Sequence, residues 1–154
     1  MAAIRMELAT MEHVRELAAN IRKADEEEIK ASGDYTTLAA LEDSLHMSRG
    51  ECWAVFFDDK LALIWGTVPI GHVTKTAIPW MITTEVVNKH PKTFVKLSRN
   101  VIIWLRRRYS LLTAMVDVRY YAALRWAERM GFHVGPPEVI SSGYKFCRIT
   151  MGGL

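Results

Sequence analysis

Apolar positions change period several times along the chain, and each change marks an element. Ala3 to Leu8 alternates weakly and predicts a first strand. From Met11 the residues Val14, Leu17, Ala18 and Ile21 recur at helical spacing. Thr10 is placed as their N-cap, with His13 where a capping box usually carries Glu. The helix is expected to run on through the charge-dense stretch Arg22 to Ile29, until Gly33-Asp34 breaks it. Thr36 or Thr37 caps a second helix carrying Leu38, Leu41 and Leu45, and Ser48-Arg49-Gly50 ends it. The period then changes. Glu51 to Phe57 and Lys60 to Val68 read as a hairpin turning at Asp58-Asp59. Pro69 to Lys75 is loop, and Thr76 to Thr83 is a further strand in which Pro79 predicts a bulge or irregularity.

Glu85 to His90 reads as a connector, and Pro91 suits the first position of a helix reaching about Arg108. Phe94, Leu97, Val101, Trp104 and Leu105 form its apolar face; Lys92, Lys96, Arg99, Arg106 and Arg107 lie opposite. Leu111 to Val118 is an apolar run consistent with a buried strand. Helical spacing through Leu124 and Trp126 to Met130 stops at Gly131, and Phe132 to Val134 begins another strand. That strand, helix and return strand imply a partly parallel sheet. Gly135-Pro136-Pro137 and a last strand near Tyr144 to Met151 close the chain.

The predicted order is β-α-α-β-β-β-α-β-α-β-β. Together with Ala123-Leu124-Arg125-Trp126-Ala127-Glu128-Arg129-Met130-Gly131-Phe132, it resembles the GCN5-related N-acetyltransferases (GNAT), in which a late helix ends in Gly-Phe. The resemblance implies an α/β (α+β) fold: one acetyltransferase-like domain over residues 1–154, with a mixed, mostly antiparallel sheet split between its fourth and fifth strands. It also implies acetyl-CoA as cofactor. A narrower likeness rests on Arg22 to Ile29, on Trp80 with Thr84 before the basic helix, and on Val116-Asp117 ahead of Arg125-Trp126 and Gly131-Phe132. These are similar to the small acetyltransferase-like proteins of tailed phages, including podovirus internal virion proteins. That likeness implies other phage virion or assembly proteins as partners, and the host cytoplasm or the virion as location.

Composition narrows the field only slightly. A chain of 154 residues supports one core, and 50% hydrophobic with 24% charged residues is ordinary for a globular domain. A net charge of +3 is too small to name a partner. Cys52 and Cys147 sit in strand-like apolar runs and are expected as buried thiols of a reducing compartment. Early charges at Arg5 and Glu7 leave no signal peptide evident. No apolar run approaches the roughly 18–20 residues of a membrane span. The expectation is an intracellular-type soluble domain.

The resemblance implies that the segment after the fourth strand cradles the cofactor pyrophosphate with backbone N–H groups at a helix N-terminus. Ile82, Thr83, Thr84, Asn88, Lys89 and Lys92 are then the cofactor-binding candidates. The family pattern there is Arg or Gln, two residues, then Gly-x-Gly or Gly-x-Ala; the stretch Thr83 to Lys92 contains no glycine. Ala127 stands where many members carry a Tyr that protonates the departing thiolate, and Tyr120 where the helix often starts with Asn. A phenol at Tyr120 or Tyr121 is the substitute proton donor, or else packs the strand–helix junction. Glu85 and Asp117 are general-base candidates by position, and Asp117 equally suits a helix cap. Arg22, Asp25 and Glu28 are substrate-binding candidates: the i, i+3 acids could hold an amine, or be surface acids paired with Arg22.

The five histidines show no ligand spacing for a metal, and Ser141-Ser142-Gly143 lacks the strand–turn–helix context of a nucleophile elbow. From Val86 to Val116 there are seven Lys or Arg and no acid. Such a stripe could meet nucleic-acid phosphates, an acidic protein or the CoA phosphates, or be a solvated helix face. Trp53, Trp65, Trp80 and Trp104 fit core positions at least as well as stacking platforms. Three functions follow. The first is a catalytically degenerate phage-type protein working through protein contacts in the virion or its assembly. The second is an active acetyl-CoA-dependent N-acetyltransferase of an unknown amine. The third is a nucleic-acid-binding module using the helix at 91–108.

Overall fold

A computed structural model of the chain describes every residue except 34, 72, 74 and 154. Strands β1 (Ile4–Leu8), β2 (Cys52–Phe57), β3 (Lys60–Ile70), β4 (Thr76–Thr83), β5 (Leu111–Asp117), β6 (His133–Val139) and β7 (Lys145–Gly152) form one sheet. Their order is β1-β2-β3-β4-β5-β7-β6, antiparallel everywhere except between β4 and β5. The helices are α1 (Met11–Ala19), α2 (Lys23–Ser32), α3 (Thr37–Met47), α4 (Val86–Lys89), α5 (Pro91–Arg108) and α6 (Tyr121–Met130). This is the mixed, split-sheet architecture expected above.

Alternation along the strands builds two apolar layers. Ala54, Phe56 and Ile64 face Val14 and Leu17 of α1 and Leu41 of α3. Val55, Phe57, Leu63 and Trp65 face Leu97, Ile102 and Leu105 of α5 and Ala127 of α6. Local chemistry fixes the ends of these elements. His13 does complete a capping box: its N–H donates to Thr10 Oγ1 at 3.4 Å, and the Thr10 N–H donates to His13 Nδ1 at 3.0 Å. Thr36, rather than Thr37, caps α3. Asp58 and Asp59 turn the β2–β3 hairpin with φ of 48° and 64°, a conformation Asp tolerates better than most side chains. Gly131 ends α6 at φ 103°.

Four local expectations change. The first helix does not run on to Ile29: it stops at Ala19, because Ile21 forms a β-bridge to Thr84 and the Arg22 N–H donates to the Thr83 carbonyl at 2.9 Å. Tertiary pairing thereby overrides a helix-compatible sequence. The expected break at Gly33-Asp34 falls partly on a residue outside those described. The connector after β4 contains a helical turn, α4. Gly135-Pro136-Pro137 lies inside β6 rather than in a turn, with a register shift between Val134 and Pro137; an edge strand tolerates the missing donors.

Pro79 causes no bulge. The β3–β4 register is continuous from Leu63↔Thr83 to Ile70↔Thr76. The Thr84 N–H donates to the Ala62 carbonyl, so residues two apart from Thr84 (Ile82, Trp80, Ile78) direct their backbone groups to β3. Pro79, Met81 and Thr83 therefore direct theirs away from β3, toward β5, and the ladder loses nothing to the proline. The parallel pairing of β4 with β5 covers only Thr76↔Leu111 and Ala77↔Leu112. Beyond that point the strands diverge and the sheet forks.

Candidate functional site

The fork encloses a cleft of about 450 Å³, lined mainly by apolar groups of β4, β5, α5 and α6. Its walls carry unused sheet edges. The Val118 N–H donates to the Lys145 carbonyl, so on β5 the residues Val116 and Ala114 bond to β7 while Met115 and Asp117 turn theirs toward β4. Met81 and Met115 thus present backbone donors and acceptors to the cleft from opposite walls. An extended chain bearing amides is the chemical complement of such a slot.

The mouth of the fork is crossed by α2, whose two acids each grip one strand. Asp25 Oδ2 accepts from the Thr83 N–H at 2.6 Å and the Thr83 hydroxyl at 2.5 Å. Glu28 Oε2 accepts from the Asp117 N–H at 3.0 Å. Their i, i+3 spacing sets both carboxylates on one face of α2, where they replace the partner strand at the ends of β4 and β5. The Tyr120 hydroxyl donates to Asp25 Oδ1 at 2.7 Å. Arg22 donates to the Tyr120 hydroxyl and, at 3.1 Å, to Asn88 Oδ1, bridging α4 and the start of α6. Asn88 in turn donates to Glu85 Oε2 at 2.6 Å.

Electrostatics separate these acids. Glu28 is half-buried, and loss of hydration, reinforced by the charges of Asp25 and Asp117 and opposed by the Asp117 N–H, raises its pKa from 4.5 to about 7. Asp117 is 2% exposed. Burial acts to raise its pKa, but the Arg119 guanidinium, with a contact of 2.7 Å, and the Arg119 N–H outweigh it and hold the carboxyl below its ordinary value. Burial and the neighbouring Asp25 push the Tyr120 phenol well above its ordinary value.

The structure therefore brings Arg22, Asp25, Glu28, Tyr120, Asp117, Thr83 and Asn88 into one network. Glu85 is exposed and touches it only through Asn88. Thr84 is buried and donates to the Leu61 carbonyl at 2.8 Å. Ile82 lines the cleft and packs against the α1–α3 layer, while Lys89 and Lys92 are exposed. Ala127 is fully buried in the core, and Tyr121 is 70% exposed. Sequence reasoning missed Arg119, although its position two residues after Asp117 was a readable signal for a turn-spanning ion pair. It also missed Ser98, which accepts from Trp126 Nε1 at 3.0 Å beneath the cleft; nothing in a helical apolar face marks such a residue.

A bound acyl-CoA would meet two different environments here. The apolar slot with the free edges of Met81 and Met115 suits the amide-bearing pantetheine arm. Much of the connector is spent: the N–H groups of Val86, Val87, Asn88 and His90 donate to Thr84 Oγ1 and to the carbonyls of Thr84, Glu85 and Val87, so a diphosphate would be left with the first turn of α5. A nest needs those amides aligned and free. The basic stripe is also partly spent. Arg106 donates to the Ser110 carbonyl at 2.6 Å, and Arg108 pairs with Glu51 and lies 4.6 Å over the Trp104 ring. Lys92, Lys96 and Arg99 line a shallow groove with Arg129. Among the described residues no group of three or more His, Cys, Asp or Glu is placed to hold a metal, and no helix is long and apolar enough to cross a membrane. Cys52 and Cys147 are free, buried thiols.

Several solved structures with the same fold are described as acetyltransferases. A ribosomal L7/L12 alpha-N-protein acetyltransferase, RimL, in complex with coenzyme A matches with a TM-score of 0.71 and 15% identity over 99% of this chain and 95% of that one. A spermidine N-acetyltransferase SpeG chimera from Vibrio cholerae and hSSAT matches with a TM-score of 0.71 and 13% identity, over 97% and 95%. A GNAT-family acetyltransferase from Streptococcus pneumoniae matches with a TM-score of 0.66 and 13% identity, over 97% and 99%. No protein-family model matches the sequence, and no curated protein does. At these identities the likeness establishes the GNAT fold of the chain, and function has to be argued from the site.

Proposed function

We propose that this protein is a non-catalytic version of the acetyltransferase fold that works through protein contacts. The observation that carries the reading is the clamp at the fork: the α2 acids and Arg22 hold β4, β5, α4 and Tyr120 together across the mouth of the cleft. The phenol that could serve as proton donor is instead bonded to Asp25, and the connector amides are spent on α4. The role we propose is contact within a phage virion or its assembly, on the residue pattern at Arg22 to Ile29, Trp80 with Thr84 and Val116-Asp117 alone. Titration with acetyl-CoA, by calorimetry and by thermal unfolding, tests the reading. A ligand that binds only the folded state at a hundred times its Kd adds about 2.7 kcal/mol of stability. No heat and no shift at millimolar acetyl-CoA is expected. Saturable binding with release of free CoA in the presence of an amine would overturn it.

One observation favours a second reading, an acetyl-CoA-dependent N-acetyltransferase. Glu28 lines the cleft with its pKa raised to about 7, near the value at which a carboxylate works as general base in neutral solution. The same titration decides, because amine acetylation requires the binding that the first reading denies.

A further inference from the structure

The strand β1 is one edge of the sheet, and all five of its residues are exposed. Its side chains Ile4, Met6 and Leu8 are 44%, 45% and 56% exposed. The strand holds no proline, no lysine and no register shift against β2, and its two charges, Arg5 and Glu7, lie side by side at 2.9 Å on the face opposite Ile4, Met6 and Leu8. Its backbone orientation follows from its neighbours. The Asp58 N–H donates to the Ala3 carbonyl and the Ala9 N–H to the Cys52 carbonyl, each at 2.9 Å. With the register Ile4↔Phe57 to Leu8↔Trp53, Arg5 and Glu7 direct their backbone groups to β2; Ile4, Met6 and Leu8 direct theirs outward. The apolar side chains share the face of Trp53, Val55 and Phe57, where a groove runs to Trp65 and Trp104 of the α5 layer.

From this we infer that β1 pairs antiparallel with β1 of a second copy of the chain, about a two-fold axis through Met6. The sequence Ile4-Arg5-Met6-Glu7-Leu8 is self-complementary in that arrangement. Ile4 stands opposite the partner subunit's Leu8, and Arg5 opposite the partner subunit's Glu7. Outward-facing residues then meet outward-facing residues, so the ladder closes on both sides. A shift of one residue opposes an outward with an inward residue and forms no ladder. A shift of two sets Arg5 opposite the partner subunit's Arg5, or Glu7 opposite the partner subunit's Glu7, and like charges directly opposite disfavour pairing. Only the symmetric register satisfies both the backbone and the charges. It also brings the apolar side chains of both copies together over the two grooves, and a two-fold interface is the commonest in homo-oligomers.

Sedimentation equilibrium of the full chain tests this, with 17.6 kDa as the monomer mass. The wild type is expected to associate to twice that mass. R5E sets Glu against Glu across the axis in every ladder-forming register and should weaken the dimer about tenfold or more. R5E/E7R restores opposite charges and should restore the dimer. Met6→Pro removes an N–H that points only outward, so β1–β2 pairing and the circular dichroism spectrum should persist while the dimer is lost. If M6P fails to fold, the charge pair decides alone. A wild type that stays monomeric at every concentration reserves the edge for another partner and overturns the proposal. A dimer that survives M6P in folded form, or an R5E/E7R chain no better than R5E, overturns it as well.

Discussion

Replacing Glu28 by glutamine keeps an oxygen to accept the Asp117 N–H and removes the titration. The folded state holds the Glu28 proton up to about pH 7, whereas the free carboxyl loses it near 4.5. Between those values the folded chain binds more protons than the unfolded chain, so stability falls as pH rises. Below pH 4.5 both states are protonated and nothing is lost; above 7 both are ionised and the loss is complete. The interval between 4.5 and about 7 corresponds to at most roughly 3 kcal/mol, less where water reaches the half-buried carboxyl. E28Q mimics the protonated form. It should match the wild type near pH 4 and exceed it at pH 8 by roughly 1–3 kcal/mol. Urea unfolding of both proteins across that range measures the difference directly and cancels the titration of groups remote from Glu28. Equal stabilities at pH 8, or a gap that does not close on acidification, would refute the burial argument for Glu28.

Two further outcomes follow from the same packing. Asp25→Ala leaves the Thr83 N–H, the Thr83 hydroxyl and the Tyr120 hydroxyl without their acceptor, at about 1–3 kcal/mol per buried unsatisfied group. Chemical denaturation should show a loss of at least about 3 kcal/mol, with D25N, which keeps one acceptor oxygen, losing less. The thiols are predicted inert: burial pushes Cys52 up to about 12, and both cysteines are buried. Ellman's reagent at pH 8 should titrate neither in the native state and both in urea.

The element order was readable because most of the helices and strands carry clean periods; the Leu111 to Val134 stretch signalled a partly parallel sheet, but β7 lies between its two strands and the parallel pair is β4 with β5. The largest failure, the end of the first helix, has a tertiary cause. Ile21 and Arg22 have nothing local against helix; the Thr83 carbonyl, distant in sequence, takes the Arg22 N–H and draws them out of it. The site was legible as a set of residues: Arg22, Asp25, Glu28, Asp117 and Tyr120 do converge. Their roles were not legible. Spacing shows that Asp25 and Glu28 share a helix face, but not that one bonds to β4 and the other to β5. Nor does it show that Asp117 is held ionised while Glu28 is not.

Pro79 stands where the fork opens. In the parallel ladder the Leu111 N–H donates to the Lys75 carbonyl, and Ala77 pairs with Leu112. The next donor on β4 directed at β5 would be the N–H of residue 79, and proline has none. The row of donors that β4 turns toward β5 therefore has a gap at Pro79, where the paired stretch ends and the lining of the cleft begins. The end of the parallel pairing thus coincides with a residue that has no proton to give, a lack in the covalent backbone that no side-chain rearrangement can supply.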